Sequence, residues 1–148
     1  MELAQLNCTK YFPSYKGYST HRAPNILVVD DDEDNLMLLT CVLEPFQCSV
    51  ITAVDGNQAL EAVRSQLPDL ILLDIMLSKV DGIQIVKQLR QDPQTMTIPV
   101  IAVTALAREE DKQQILKAGC NDYISKPFMI EDLEDMIQRY LHPNFCVA

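Results

Sequence analysis

From residue 25 the chain alternates two hydrophobic periods. Asn25-Ile-Leu-Val-Val29 is an unbroken apolar run of the kind expected for a strand buried on both faces of a parallel sheet. Leu36, Leu39 and Leu43 then recur at helical spacing up to Pro45, which predicts a helix. Cys48–Ala53 reads as a second strand, and Asp55-Gly56 as a turn. Leu60, Val63 and Leu67 predict one face of a helix that stops at Pro68. Leu70–Leu73 is the third strand, followed by a loop through Asp81-Gly82 and a helix carrying Ile83, Val86 and Leu89. Asp92-Pro93 closes that helix, and Ile98–Val103 is the fourth strand. The polar stretch Arg108–Ala118 reads as a helix ended by Gly119, and Tyr123–Ser125 as a short fifth strand. Ile130, Leu133, Ile137 and Leu141 line a final helix before Pro143.

Strict strand–helix alternation with short connections calls for an α/β fold, a doubly wound open five-stranded parallel sheet with helices on both faces. The expected organisation is an aromatic-rich N-terminal extension over 1–24, one domain over 25–141 and a short tail over 142–148. No repeat or interior linker interrupts the pattern.

Composition narrows the function. Of 148 residues, 48% are hydrophobic and 22% charged, as in ordinary globular proteins. The net charge is −9 and the pI about 4.5, which argues against nucleic acid as a direct partner. No apolar run approaches the about eighteen residues of a membrane span. Residues 1–25 carry three basic residues against one acid, which leaves the remainder at −11. That segment also holds Tyr11, Phe12, Tyr15 and Tyr18, but not the pattern of a secretory signal, so the cytoplasm is the expected compartment. The five cysteines (Cys8, Cys41, Cys48, Cys120 and Cys146) show no zinc or redox spacing and are expected to be idle thiols.

Chemistry gathers at the carboxyl ends of the strands, where ligands bind in open α/β sheets. Strand one ends in Asp30-Asp31-Asp32, strand three in Asp74, strand four in Thr104, and strand five in Lys126-Pro127. If strand one lies beside strand three, with four and five following in order, these groups share one pocket. Three carboxylates so close repel one another unless a cation intervenes. A hard divalent cation such as Mg²⁺ suits a site with few carboxylates, water and phosphate oxygens. A carboxylate beside Mg²⁺, a hydroxyl and an ammonium is equipped to attack phosphorus and hold an acyl phosphate. Asp32, Glu33 and Asp34 read as the cap and first-turn charge of the first helix.

Five segments, in order and with matching gaps, carry a resemblance. Ile26–Asn35, Asp69–Asp74, Val80-Asp-Gly82, Ile98–Ala105 and Asp122–Phe128 resemble the receiver domain of bacterial response regulators, the CheY-like family, across residues 25–141. The resemblance implies strand order 2-1-3-4-5; the strand-order rule is itself exemplified by this family, so the two are one support. It implies a stand-alone response regulator of a two-component or phosphorelay system, a switched signalling module rather than a turnover enzyme. Asp74 looks like the phosphoacceptor. Asp30, Asp31, Asp74 and the Met76 backbone carbonyl would hold Mg²⁺, with Mn²⁺ as the alternative ion. Thr104, the Ala105 N–H and Lys126 would bind the phosphoryl oxygens. Thr104 and Tyr123 would form the conformational switch, and Lys126-Pro127 the family's cis peptide. The implied partners are a sensor histidine kinase or histidine phosphotransfer protein and a downstream effector protein. The resemblance leaves open a monomer or a phosphorylation-linked homodimer.

Two departures matter. Ser78 stands where the family usually has proline, which is expected to loosen that loop. Met76 and Leu106 occupy the positions, two past Asp74 and two past Thr104, that tune dephosphorylation; apolar side chains there should exclude water. The alternative is a haloacid dehalogenase-type Mg²⁺ phosphatase, but its second Asp, two residues after the nucleophile, is here Met76. A flavodoxin would need a Ser/Thr/Gly-rich phosphate loop after strand one, which is absent.

Overall fold

The computed structural model describes residues 23–78, 81–106 and 108–141. The expected N-terminal extension falls outside them up to residue 22, with Cys8; so do Val80 and the tail from residue 142, with Pro143 and Cys146.

Among the described residues, five strands alternate with five helices: β1 (Asn25–Val29), α1 (Glu33–Leu43), β2 (Ser49–Ala53), α2 (Gly56–Gln66), β3 (Leu70–Leu73), α3 (Gly82–Gln91), β4 (Val100–Thr104), α4 (Glu109–Ala118), β5 (Asp122–Ser125) and α5 (Ile130–Leu141). A 3-10 turn, Glu44–Phe46, follows α1 at Pro45. The sheet is wholly parallel in the order β2-β1-β3-β4-β5, as expected.

The two-residue period of the strands splits the interior in two. Leu27, Val29, Ile71, Leu73, Val100 and Ala102 face one way and pack with residues of α2, α3 and α4 such as Val63, Ile85, Val86 and Ile115. Ile26, Val28, Leu70, Leu72, Ile101 and Val103 face the other way, against Leu36, Leu39 and Leu43 of α1 and Leu133 and Ile137 of α5. A strand apolar on both faces thus serves two cores, which is why β1 and β3 read as continuous apolar runs.

Acids start three of the helices. Asp32 accepts from the Asp34 N–H at 2.9 Å, Asp55 from Gln58 at 2.8 Å and Asp81 from Ile83 at 3.0 Å. Each satisfies a backbone donor that the first helical turn leaves unpaired.

Some element faces differ from the pattern. Ala59, rather than Leu67, completes the buried face of α2, and Leu67 is 45% exposed. The residue before a proline is disfavoured in the helical region, so the helix ends at Gln66 and Leu67 takes a left-handed turn (φ 47°). β4 begins at Val100, because Pro99 has no N–H to pair, although Ile98 is buried. Ile130 opens α5 largely exposed, and Leu133 and Ile137 carry that helix's burial.

One polar clip joins the α3–β4 and α4–β5 connections at the amino end of the sheet. The Arg90 guanidinium donates to the carbonyls of Gly119 (2.9 Å), Met96 (3.1 Å) and Ile98 (2.8 Å), and to Asn121 Oδ1 (2.9 Å). Asn121 Oδ1 also accepts from the Val100 N–H at 2.9 Å, which ties the start of β4 to the same cluster. Arg90→Met keeps much of the volume and removes every donor. It is expected to lower unfolding stability by about 2–4 kcal/mol, as breaking a partly buried charged network does. A urea titration monitored by circular dichroism checks this.

Among the described cysteines, Cys41 is exposed, Cys48 half-buried and Cys120 buried, all as free thiols. Burial pushes the Cys120 thiol up to about 12 against the opposing pull of Arg90, so it stays protonated. Among the described residues, no helix is long and apolar enough to cross a membrane.

Candidate functional site

The register of the central strands builds the site. Val29 pairs with Leu73, so the residues that follow, Asp30 and Asp74, emerge side by side at the carboxyl edge. The Asp74 N–H donates to the Val29 carbonyl at 2.9 Å, and that of Asp30 to Ala53 at 3.1 Å. Thr104 ends β4 beside Ser125 of β5, and the Lys126 N–H extends that ladder to the Thr104 carbonyl at 2.8 Å. The Lys126–Pro127 peptide is cis.

Asp30 and Asp74 are 1% and 8% exposed, whereas Asp31 stands open to solvent. Burying two carboxylates together is costly without a cation. Lys126 supplies one: its Nζ lies 2.8 Å from Asp30 Oδ2 and 3.1 Å from Asp74 Oδ2. Burial alone would pull the Lys126 ammonium down, but its bonds to Asp30 and Asp74 and their charge outweigh this and hold it above the ordinary lysine range. It is therefore a full cation at neutral pH.

The remaining oxygens of the acids are also engaged. Asp30 Oδ1 accepts from the Asp32 N–H and Asp74 Oδ1 from the Met76 N–H, both at 2.9 Å. These local turns set each carboxylate's angle. Asp31 Oδ2 accepts from the Ser78 N–H at 3.1 Å. A proline at 78 has no such donor. The substitution expected to loosen the loop thus provides a tie between it and Asp31.

Asp30, Asp31 and Asp74 each offer a carboxylate oxygen, all within 4.8 Å of one another. Ligands opposite each other on Mg²⁺ stand about 4.2 Å apart, so three hard oxygens so placed fit such an ion with a small closure. Gly82 brings α3 against the loop after Asp74: a Cβ there would lie 2.7 Å from Ile75 Cα and 3.0 Å from the Asp74 carbonyl. Only glycine permits that approach.

Thr104 is buried, and its Oγ1 accepts from the Leu106 N–H at 3.2 Å. Ala105 sits exposed at the strand end, Met76 is more than half exposed at the mouth, and Leu106 is half-buried against the core. Tyr123 is half-buried on β5, with Lys112 Nζ 5.3 Å from its ring centroid. The structure therefore brings Asp30, Asp31, Asp74 and Lys126 into one cluster, with Thr104 at the end of the next strand. Tyr123 lies apart, toward α4. The sequence reading missed Lys112 and the Ser78 N–H: one is an unremarkable helix lysine, the other a backbone group that every residue but proline carries.

Residues 26–138 match the family model described as the response regulator receiver domain. The chain is 44% identical over 123 residues to the alkaline phosphatase synthesis transcriptional regulatory protein PhoP of Bacillus subtilis (strain 168), a match covering 83% of this chain and 50% of PhoP. The chain thus spans about half the length of that relative. It is 38% identical over 117 residues to the polar-differentiation response regulator DivK of Brucella anthropi, covering 79% of this chain and 95% of DivK. Among solved structures it is similar to the receiver domain of the sensor histidine kinase PA1611 of Pseudomonas aeruginosa PAO1, described with a magnesium ion coordinated in the active-site cleft. The TM-score there is 0.74 at 32% identity, over 81% of this chain and 98% of that one.

The chain belongs to the response regulator receiver family. It carries the receiver domain of two-component signalling on the CheY-like, flavodoxin-like fold.

Proposed function

We propose that the protein is a Mg²⁺-dependent phosphoacceptor switch, with Asp74 taking a phosphoryl group from a phosphohistidine of a sensor histidine kinase or phosphotransfer protein. The observation that carries this reading is the placement of Asp74, buried at a strand end between a cation and two further carboxylates. An Asp74 oxygen attacks phosphorus in line; the phosphorus–nitrogen bond breaks, its electron pair returns to the imidazole, and an acyl phosphate forms. Lys126 follows the charge onto the phosphoryl oxygens, joined by the Thr104 hydroxyl and the Ala105 N–H. Asp30, Asp31, Asp74 and the Met76 carbonyl would hold Mg²⁺, with Mn²⁺ as substitute. Bound there, the ion supplies charge neutralisation among the carboxylates and phosphoryl oxygens.

Phosphorylation draws Thr104 toward the phosphoryl group and Tyr123 inward, shifting the population between two surfaces. The output is regulation of an effector protein or onward transfer of the phosphoryl group, in the cytoplasm, with neither nucleic acid nor membrane as direct partner. The protein is a monomer or a phosphorylation-linked homodimer.

Profiling phosphotransfer to the full chain from a panel of phosphorylated histidine kinases, with Mg²⁺, tests this reading. Labelling of one phosphoryl group per chain supports it. Steady hydrolysis of a phosphomonoester without a labelled protein would instead favour the dehalogenase-type phosphatase.

The lifetime of the phosphorylated form carries a separate prediction. Met76 is apolar and exposed at the mouth, and it offers an incoming water no hydrogen bond. Met76→Asn provides one, so its acyl phosphate is expected to decay several-fold faster than that of wild type. Equal decay rates after removal of the phosphodonor would refute the assignment of Met76 as the tuning position.

A further inference from the structure

Tyr123 lies against α4, where Glu109, Lys112, Gln113, Leu116, Lys117 and Tyr123 line a surface cavity of about 540 Å³. Lys112 Nζ stands 5.3 Å from the Tyr123 ring centroid, within the roughly 6 Å reach of a cation over an aromatic face. The adjacent Tyr123 side chain, ahead of every other influence, holds the Lys112 ammonium above the ordinary lysine range. α4 itself is lightly anchored: Ile115 is its one buried residue. An element with so little burial is displaced at low cost.

We propose that Lys112 is a positioning residue that latches Tyr123 against α4 in the unphosphorylated protein. This inference rests on the phosphoacceptor reading above and adds the group that sets the resting position of its aromatic switch. Thr104 and Tyr123 both have to move for the switch to turn. Thr104 is tied to the loop leading into α4 through the Leu106 N–H, and Tyr123 is tied to α4 through Lys112. The backbone bond remains whatever side chains α4 carries; the lysine contact does not. Neutralising Lys112 therefore weakens the resting state, with Tyr123 held against α4, and moves the population toward the switched one. A cation–aromatic contact at an exposed site is worth about a two- to fivefold change in such an equilibrium.

The test uses the full chain as wild type, Lys112→Met and Lys112→Arg, with ring-labelled tyrosine. Of the five tyrosines, Tyr123 is assigned from the signal lost in Tyr123→Ala. In unphosphorylated Lys112→Met, the Tyr123 ring resonances are expected to move toward those of the beryllofluoride-bound protein, while Lys112→Arg keeps the wild-type positions. Initial labelling by acetyl phosphate with Mg²⁺ is expected to rise about two- to fivefold in Lys112→Met, with no further change when Tyr123 is already alanine. Unmoved ring signals in Lys112→Met, or a rate increase that persists without Tyr123, overturn the latch. Failure of wild type to label at all would count against the phosphoacceptor reading; the ring signals report on the latch independently of any phosphoryl transfer.

Discussion

Asp74→Asn is expected to abolish phosphoryl labelling, not merely slow it. The amide keeps the shape of the side chain and can still accept from the Met76 N–H, so the turn after β3 survives. What disappears is the anionic oxygen that attacks phosphorus, and an amide is no substitute nucleophile. Asp30 does not take over: it is buried more completely than Asp74 and ends the neighbouring strand, away from the acceptor position. Labelling from acetyl phosphate or a phosphorylated kinase, quantified per chain, is expected to fall from one equivalent to background. Circular dichroism of the variant separates this from unfolding.

Lys126→Met is the second large effect, and it has two parts. The first is kinetic. Loss of one cation aimed at the developing phosphoryl charge is expected to slow labelling by about 10²–10³-fold, as removal of a pre-placed stabilising donor does. The second concerns stability. Lys126 separates two carboxylates that are almost completely buried, and methionine leaves them facing each other. The variant is therefore expected to melt lower than wild type in metal-free buffer and to regain more of that loss when Mg²⁺ is added. The wild-type sign follows from linkage: Lys126 titrates above its ordinary value, so its pairing contributes fully at neutral pH and is lost only as pH rises through the folded value. Thermal melts at neutral pH, with Mg²⁺ and with chelator, check the stability, and initial labelling rates with acetyl phosphate check the kinetics.

The fold was legible because its strands are short apolar runs between helices of clear period, and strict alternation leaves one class of sheet. β1 and β3 were read to the residue. Leu67 was misplaced because helical spacing continues through it while the following proline does not allow the helix to. Helical spacing puts Ile130 on one face with Leu133 and Ile137, but a helix's first residue sits at the rim, where a side chain is readily left exposed. The candidate site was readable because parallel strands deliver their terminal residues to one edge, so Asp30, Asp74, Thr104 and Lys126 converge once strand one lies beside strand three with four and five following. What could not be read depends on backbone direction and on helix-to-strand packing. The Ser78 N–H bond to Asp31 has no side-chain signature, and the Lys112 contact with Tyr123 joins residues whose proximity only the packing of α4 on β5 creates.

As the proposed phosphoacceptor, this chain takes one phosphoryl group on one carboxylate. The most direct measurement is mass spectrometry of the full chain after acetyl phosphate treatment, with Mg²⁺ or chelator, followed by borohydride reduction and peptide mapping. A single Mg²⁺-dependent phosphoryl group is expected, with the reduced residue at position 74. A label that forms equally well in chelator, or one that maps to any residue other than Asp74, would contradict it.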